Sequence, residues 1–189
     1  MVDISLHLLD LMQNSAHAGA TRVSVRVLED REEDTLTVTV EDNGKGMDED
    51  EKRLALDPFY TTQSGKKVGL GLPFAVQAAR MSGGDVRIES TPVSGTRVEI
   101  TFSLSHVDRQ PLGDITATLV AFMAGNPGTE VSLEYAGPEG AFSTASSRLV
   151  PEEERETLGQ IALLSLVEKR LRAGLARAGF RPDGGGVIG

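Results

Sequence analysis

The sequence predicts an α+β fold in which helices cover one face of a mixed β-sheet. Three observations lead to this fold class. Apolar residues recur at helical spacing in some segments and alternate with polar residues in others. The alternating, strand-like segments come in adjacent pairs, with helical segments between the pairs. Apolar residues make up 39% of the 189 residues and charged residues 25%, a balance that suffices to bury the core of a soluble domain.

The first half of the chain predicts two strand pairs separated by helices. Helical spacing of apolar residues covers residues 4–18, and Gly19 provides a natural end. Alternating segments on both sides of the acidic turn 30–34 predict the first strand pair. A short helix with Asp48 as its N-cap follows. After a polar segment without periodicity, helical spacing returns at 73–81, and the second strand pair contains Val86, Ile88, Val98, Ile100 and Phe102.

The second half predicts a smaller α/β unit. We expect a helix over 112–124, two short strands over 130–135 and 141–146, and one long helix over 151–178. Acidic residues at the start of the long helix and basic residues at its end match the helix dipole. We therefore divide the chain into a first domain, a C-terminal α/β extension suited to docking or dimerisation, and a flexible Gly-rich tail, with the bounds 1–104, 105–181 and 182–189.

Composition and charge exclude several classes of function. Without cysteine, the chain has no disulfide, no thiolate zinc site and no thiol nucleophile. No apolar run approaches the roughly 18 residues that span a bilayer. The N-terminus also lacks the basic start and apolar stretch of a signal peptide, so we expect a cytoplasmic protein that does not bind membranes. The net charge of −9 argues against nucleic acid as a partner, because such binding relies on neutralising phosphate charge.

A polar stripe on the first predicted helix contains His7, Asp10, Asn14 and His17, which fall within about 80° of one another at ~100° per residue. The carbonyl oxygen of Asn14 is a suitable ligand for Mg²⁺, which takes few protein oxygens and completes its shell with water and phosphates. Asp10, one turn earlier, can orient or deprotonate a water or hydroxyl. The alternatives are an ordinary solvated helix face and a transition-metal site.

The segment Asp42-Asn43-Gly44-Lys45-Gly46-Met47 follows the second predicted strand. The carboxylate of Asp42 at the strand end can accept a hydrogen bond from a purine amino group. Gly44 and Gly46 let the backbone approach the ring. The alternative interpretation is an Asn-Gly turn without a ligand.

Two further segments carry groups that suit phosphate. Asp57-Pro58-Phe59-Tyr60-Thr61-Thr62 opens a polar loop that also contains Lys66 and Lys67. Here an aromatic ring can pack the loop over a base, while hydroxyl and ammonium groups meet phosphate oxygens. Gly69-Leu70-Gly71-Leu72 then leads into a helix, whose N-terminal N–H groups and dipole favour an anion. The alternatives are a surface loop anchored by Phe59 and a flexible glycine turn.

Together, in this order and at these intervals, the four segments resemble the ATP-binding (Bergerat) fold of the GHKL superfamily, which includes gyrase, a heat-shock chaperone, histidine kinases and MutL. The resemblance covers residues 4–104. Residues 11–15 resemble the N box, 42–46 the G1 box, 57–62 the F box and 69–71 the G2 box. Ser94-Gly95-Thr96 is similar to the Gly-Thr that closes the adenine pocket.

The resemblance implies ATP and Mg²⁺ as ligands. Asn14 would hold Mg²⁺, Asp42 would bind the adenine amino group, and residues 57–72 would form a mobile lid over the phosphates. The implied nucleotide contacts are Asn14, Asp42, Gly44, Gly46, Met47, Phe59, Thr61, Thr62, Lys66, Lys67, Gly69, Leu70, Gly71, Leu72 and Thr96. ATPases of the superfamily carry a general-base Glu one turn before the N-box Asn. Asp10 stands there in this chain and is one methylene shorter.

The favoured function is therefore that of a stand-alone histidine-kinase-like protein, which binds Mg·ATP and transfers the γ-phosphoryl group to a partner protein or to water. Only two or three residues precede the first predicted helix, so we expect the phospho-acceptor on another protein. The alternative is a non-catalytic module in which ATP gates the docking of a protein or of a second copy as a homodimer. A DNA-acting, MutL-like ATPase is disfavoured by the net charge of −9.

Overall fold

The computed structural model describes residues 3–56 and 71–182. In these residues, most of the predicted helices and strands are confirmed, with ends shifted by a few positions. The elements are α1 (Ile4–His17), β1 (Arg22–Asp30), β2 (Thr35–Asp42), α2 (Glu49–Ala55), α3 (Gly71–Met81), β3 (Val86–Ser90), β4 (Thr96–Ser103), α4 (Ile115–Gly125), β5 (Glu130–Gly137), β6 (Gly140–Ala145), α5 (Ser146–Leu149), α6 (Glu152–Thr157) and α7 (Gln160–Arg177).

The six strands of the described residues form one mixed sheet in the order β3-β4-β2-β1-β5-β6, in which only the β1–β5 pairing is parallel. Alternate residues of the inner strands are buried on one face, because side chains along a strand point to opposite sides. These strand residues share one core with buried residues of α1, α3, α4 and α7. The opposite face carries ion pairs such as Arg26–Glu134 and Arg97–Glu41. The predicted α+β class with a mixed sheet is confirmed.

Residues after 104 continue the sheet of the first half. In the parallel pairing of β1 with β5, Arg22 lies opposite Glu130 and Leu28 opposite Ala136. A parallel neighbour requires a crossover connection, and α4 provides it while packing against α1. The amide of Ile4 also donates to the carbonyl of Pro111 at 3.0 Å. The helix that carries the polar stripe is thus held from both halves of the chain.

The prediction of one long helix over 151–178 is wrong. α6 ends where the amide of Leu158 donates to the carbonyl of Glu154, and α7 begins anew after Gly159. Leu158 and Gly159 both have extended backbone angles, which interrupt the helix. Arg170 of α7 binds both carboxylate oxygens of Glu154, at 2.9 and 3.0 Å, so the two helices stay attached across the break. Within the described ranges, none of the helices has the length and apolar character needed to cross a membrane.

Candidate functional site

The carboxylate of Asp42 lies at the end of β2 and faces α1. Its Oδ1 accepts a hydrogen bond from the amide of Gly44 at 2.8 Å, and its Oδ2 accepts one from the hydroxyl of Ser15 at 2.6 Å. Ser15 is buried on α1 and directly follows Asn14. The half-buried Asp42 and the exposed Asn14, which the sequence assigns to one ligand, are therefore brought to the same region.

The turn after β2 is clamped between the end of α1 and the β3–β4 loop. A Cβ atom at Gly44 would lie 2.8 Å from the Cβ of Ala18. Gly46 has a φ of +69°, and a Cβ there would overlap the carbonyl oxygen of Thr91. The side chain of Asn43 accepts hydrogen bonds from the amides of Thr21 and Arg22, which tie this segment to the start of β1. These contacts shape the backbone that carries Asp42, and its role toward a purine stays a prediction.

The buried hydroxyl of Ser90 connects Met47, Gly95 and Thr96 at this end of the sheet. Ser90 accepts a hydrogen bond from the amide of Met47 at 2.8 Å and donates one to the carbonyl of Gly95 at 2.8 Å. The hydroxyl of Thr96 lies 3.0 Å from that of Ser90, and Thr96 stands opposite Asp42 in the β2–β4 register. Ser90 was not predicted from the sequence, because a serine at the end of a strand carries no distinctive signal.

The second half of the site lies where α3 begins. A Cβ atom at Gly71 would lie 2.8 Å from the Cβ of Asp10 and 3.2 Å from its Oδ2. Only glycine therefore lets the first turn of α3, including the buried Leu72, approach Asp10 this closely. The first amides of a helix lack partners within the helix and carry its positive dipole end. The site thus extends along α1 from Ser15, beside Asp42, to Asp10, beside the N-terminus of α3.

His7 does not belong to the polar stripe in which helical spacing placed it. The ring is only 5% exposed, and its Nε2 lies 3.1 Å from Oε1 of Gln110 in the connection to α4. Residue 7 falls one turn from Ile4 and Leu11, so it faces the side of α1 that the chain after β4 covers. Within residues 3–56 and 71–182, no group of three His, Cys, Asp or Glu side chains is arranged to hold a metal.

Several predicted site residues lie in 57–70, outside the described residues, and their roles stay predictions. These are Phe59, Thr61, Thr62, Lys66, Lys67, Gly69 and Leu70. The described part of the candidate site contains the remaining predicted residues, and hydrogen bonds connect Ser15 to Asp42 and Ser90 to Thr96.

Comparison with known proteins connects this geometry to a family. Residues 2–106 match the family model described as histidine kinase-, DNA gyrase B-, and HSP90-like ATPase. The chain is 35% identical over 89 residues to the sensor-type histidine kinase PrrB of Mycobacterium leprae, covering 46% of this chain and 20% of that protein. It is 35% identical over 99 residues to the tetrathionate sensor histidine kinase TtrS of Salmonella typhimurium, covering 50% of this chain and 16% of that protein.

The chain thus matches at most a fifth of the length of these two relatives. Among solved structures, the mycobacterial sensor histidine kinase MprB is 26% identical with a TM-score of 0.42, covering 51% of this chain and 66% of that one. The family model spans more than half of the sequence and contains every described residue of the site. The chain therefore belongs to the family of histidine kinase-, DNA gyrase B- and HSP90-like ATPases.

Proposed function

We propose that the chain binds Mg·ATP and transfers the γ-phosphoryl group to a partner protein or to water. Family membership supports ATP binding. The observation that carries the proposal is the placement of Asp42, whose carboxylate accepts hydrogen bonds from Gly44 and from Ser15, the α1 residue that follows Asn14. The histidine kinase relatives favour a protein as the acceptor of the phosphoryl group.

The chemistry of the described side chains fits this ligand. The carboxylate of Asp42 is an acceptor with lone pairs to spare, which suits the 6-amino group of adenine. Gly44, Gly46, Met47 and Thr96 would form the walls around the base. The exposed carboxamide of Asn14 would hold Mg²⁺ through its oxygen, and the first amides of α3 would meet the phosphates. Bound Mg²⁺ supplies positive charge that offsets the charge developing on the transferred phosphoryl group.

Asp10 is our candidate for the catalytic carboxylate. It lies one turn before Asn14 on α1 and beside the first turn of α3, so it would sit near the phosphate end of a nucleotide whose base is at Asp42. There it would orient or deprotonate the attacking water or hydroxyl. The predicted contacts Phe59, Thr61, Thr62, Lys66, Lys67, Gly69 and Leu70 would close the phosphate side.

Incubation with γ-labelled ATP and Mg²⁺, alone and with a cell extract, tests the proposal. We expect released phosphate or a labelled partner protein from the wild type. In the Asp10→Asn variant we expect turnover to fall by about 10²-fold or more, since a positioned acid or base contributes that much, while ATP binding persists. Glu41→Gln, a change in an exposed carboxylate on the opposite face of the sheet, serves as the matched control. If the wild type gives neither released phosphate nor a labelled protein, that result contradicts phosphoryl transfer.

A second candidate function is a non-catalytic module in which ATP gates docking on residues 105–181. The favouring observation is the attachment of α1 to that part of the chain. The amide of Ile4 donates to Pro111, and the hydroxyl of Thr118 donates to the carbonyl of Ser5 at 3.3 Å. A nucleotide that shifts α1 would therefore shift α4. This function predicts that Asp10→Asn leaves ATP-dependent capture of the partner, or of a second copy, unchanged.

The partners proposed for either function are ATP and a protein. We propose a cytoplasmic site of action, because that compartment supplies ATP. Nucleic acid is not proposed as a partner, since the net charge of −9 opposes phosphate contacts.

A further inference from the structure

We infer that Ser15 is a positioning residue that makes the site select 6-amino purines over 6-oxo purines. The inference rests on the proposed function and concerns how Asp42 is held. It assigns to Ser15 no contact with the reacting phosphate.

The hydroxyl of Ser15 has two acceptors within reach but only one hydrogen. The Oδ2 of Asp42 lies 2.6 Å away, and the carbonyl oxygen of Leu11 lies 3.3 Å away. The shorter bond goes to a carboxylate, and hydrogen bonds to ionised acceptors are both shorter and stronger than neutral ones. The hydrogen therefore points to Asp42. Ser15 is 3% exposed, so its hydroxyl is shielded from solvent on its own side of this bond to the half-buried Asp42.

Two donors on different elements fix the carboxylate plane. The amide of Gly44 binds Oδ1 from the turn after β2, and Ser15 binds Oδ2 from α1. Because each oxygen can accept more than one hydrogen bond, each keeps a lone pair for a ligand. The hydroxyls of Ser90 and Thr96, at the same end of the sheet, are hydrogen-bonded to each other. Ser15 is therefore the side chain that the described contacts place on Asp42.

This arrangement distinguishes purines by the group at position 6. A 6-amino group donates a hydrogen bond to the fixed carboxylate. A 6-oxo group is itself a hydrogen-bond acceptor, so its oxygen is repelled by the carboxylate of Asp42. Both groups also lack a donor, and this unpaired state disfavours binding. Without Ser15, the carboxylate loses one of its two anchors and its orientation is no longer set. The affinity for a 6-amino purine then falls, whereas a 6-oxo purine, which gains nothing from the carboxylate, loses little.

The test compares ATP with inosine triphosphate (ITP), which has the same ribose and triphosphate, by calorimetric titration in Mg²⁺. We expect the wild type to prefer ATP. Ser15→Ala should lower ATP affinity about tenfold, as expected for one bond to a charged group, with ITP affinity unchanged. Ser15→Thr, which keeps the hydroxyl, should restore the preference, and Ser15→Cys, a weaker donor of similar size, should give an intermediate ratio.

Ser82→Ala is the matched control, because Ser82 is fully buried and donates to the carbonyls of Ala78 and Ala79 on its own helix. It should leave the ATP-to-ITP ratio at the wild-type value. Circular dichroism and the thermal midpoint without nucleotide report whether each variant folds. A parallel loss of ATP and ITP affinity in folded Ser15→Ala, or an unchanged ratio, would overturn the inference while the proposed function stands. Failure of the wild type to bind either nucleotide would overturn both.

Discussion

Single side chains at the turn between β1 and β2 show how local hydrogen bonds stabilise this fold. Asp34 has a φ of +53°, a conformation that Asp and Asn tolerate better than most residues. Its carboxylate accepts hydrogen bonds from the hydroxyls of Ser103 and Ser105 and from the amide of Ser105. The hydroxyl of Ser103, followed by that of Ser105, holds the pKa of Asp34 below its ordinary value. The turn is thereby attached to the end of β4.

This low pKa predicts a stability contribution that depends on pH. A carboxyl whose pKa is lower in the folded state stabilises the fold above the unfolded pKa of about 3.9, and the contribution disappears as pH falls through the folded pKa. Asp34→Asn keeps the backbone preference and removes the charge. We expect wild type to be more stable than this variant at pH 7, with the difference shrinking below about pH 4. Denaturant unfolding measured from pH 7 to pH 3 checks this, and a difference that does not vary with pH would contradict it.

At the same level, the sequence indicated Asp42 and Asn14 as candidate site residues but did not predict their contacts. Asp42 and Asn14 stand out because an acid before two glycines and an amide on a helix are recognisable types at a recognisable spacing. The bond from Ser15 to Asp42 spans 27 positions and depends on how α1 lies on the sheet. The burial of His7 depends in the same way on the segment that contains Gln110. Such tertiary contacts are not encoded in local periodicity.

Helix α7 packs on strand β6 through a glycine. A Cβ atom at Gly174 would overlap the ring of Phe142, which lies on a different element. We expect Gly174→Ala to lower the free energy of unfolding by about 1–3 kcal/mol, because added volume in a packed contact forces neighbours to move. Gly125→Ala is the control, since Gly125 is an exposed helical residue at which an added methyl group would meet open space among the described residues. Chemical denaturation distinguishes them, and equal stability of both variants would contradict this packing.

The helices and strands themselves were largely predictable, because their apolar spacing is regular and their caps are strong. Asp48 caps α2 with a full capping box, as its position before an acidic first turn indicates. The break between α6 and α7 was not predicted, since the charge pattern over 151–178 fits a single helix. Gly159 was the residue in the sequence that could have indicated a break. The contact of Arg170 with Glu154, which holds the two helices together across the break, is seen only in the folded chain.

Considered as a whole, the chain buries residues from both halves in one core. Leu133 of β5 is 2% exposed and lies opposite Val25 of β1, which is fully buried. That β5 would pair with β1 was not predictable, because strand partners distant in sequence leave no local signal. The parallel pairing joins the described strands of both halves into one sheet.

We therefore expect a single thermal unfolding transition. Leu133→Ala should lower the stability of that transition by about 2–5 kcal/mol, the usual cost of a cavity in a core. Leu28→Ala, at an exposed position of β1, should cost much less. Scanning calorimetry measures both. Two separated transitions, with only one of them shifted by Leu133→Ala, would indicate that the two halves unfold independently.

The central claim is that the carboxylate of Asp42 recognises the base of ATP. Calorimetric titration of Mg·ATP into wild type, Asp42→Asn and Glu41→Gln tests it most directly, because residue 41 is adjacent in sequence but exposed on the other face of the sheet. We predict saturable binding to wild type and Glu41→Gln, and an affinity about 10- to 100-fold weaker for Asp42→Asn, the value of a hydrogen bond to a charged group. Binding of ATP to Asp42→Asn with wild-type affinity would contradict the claim.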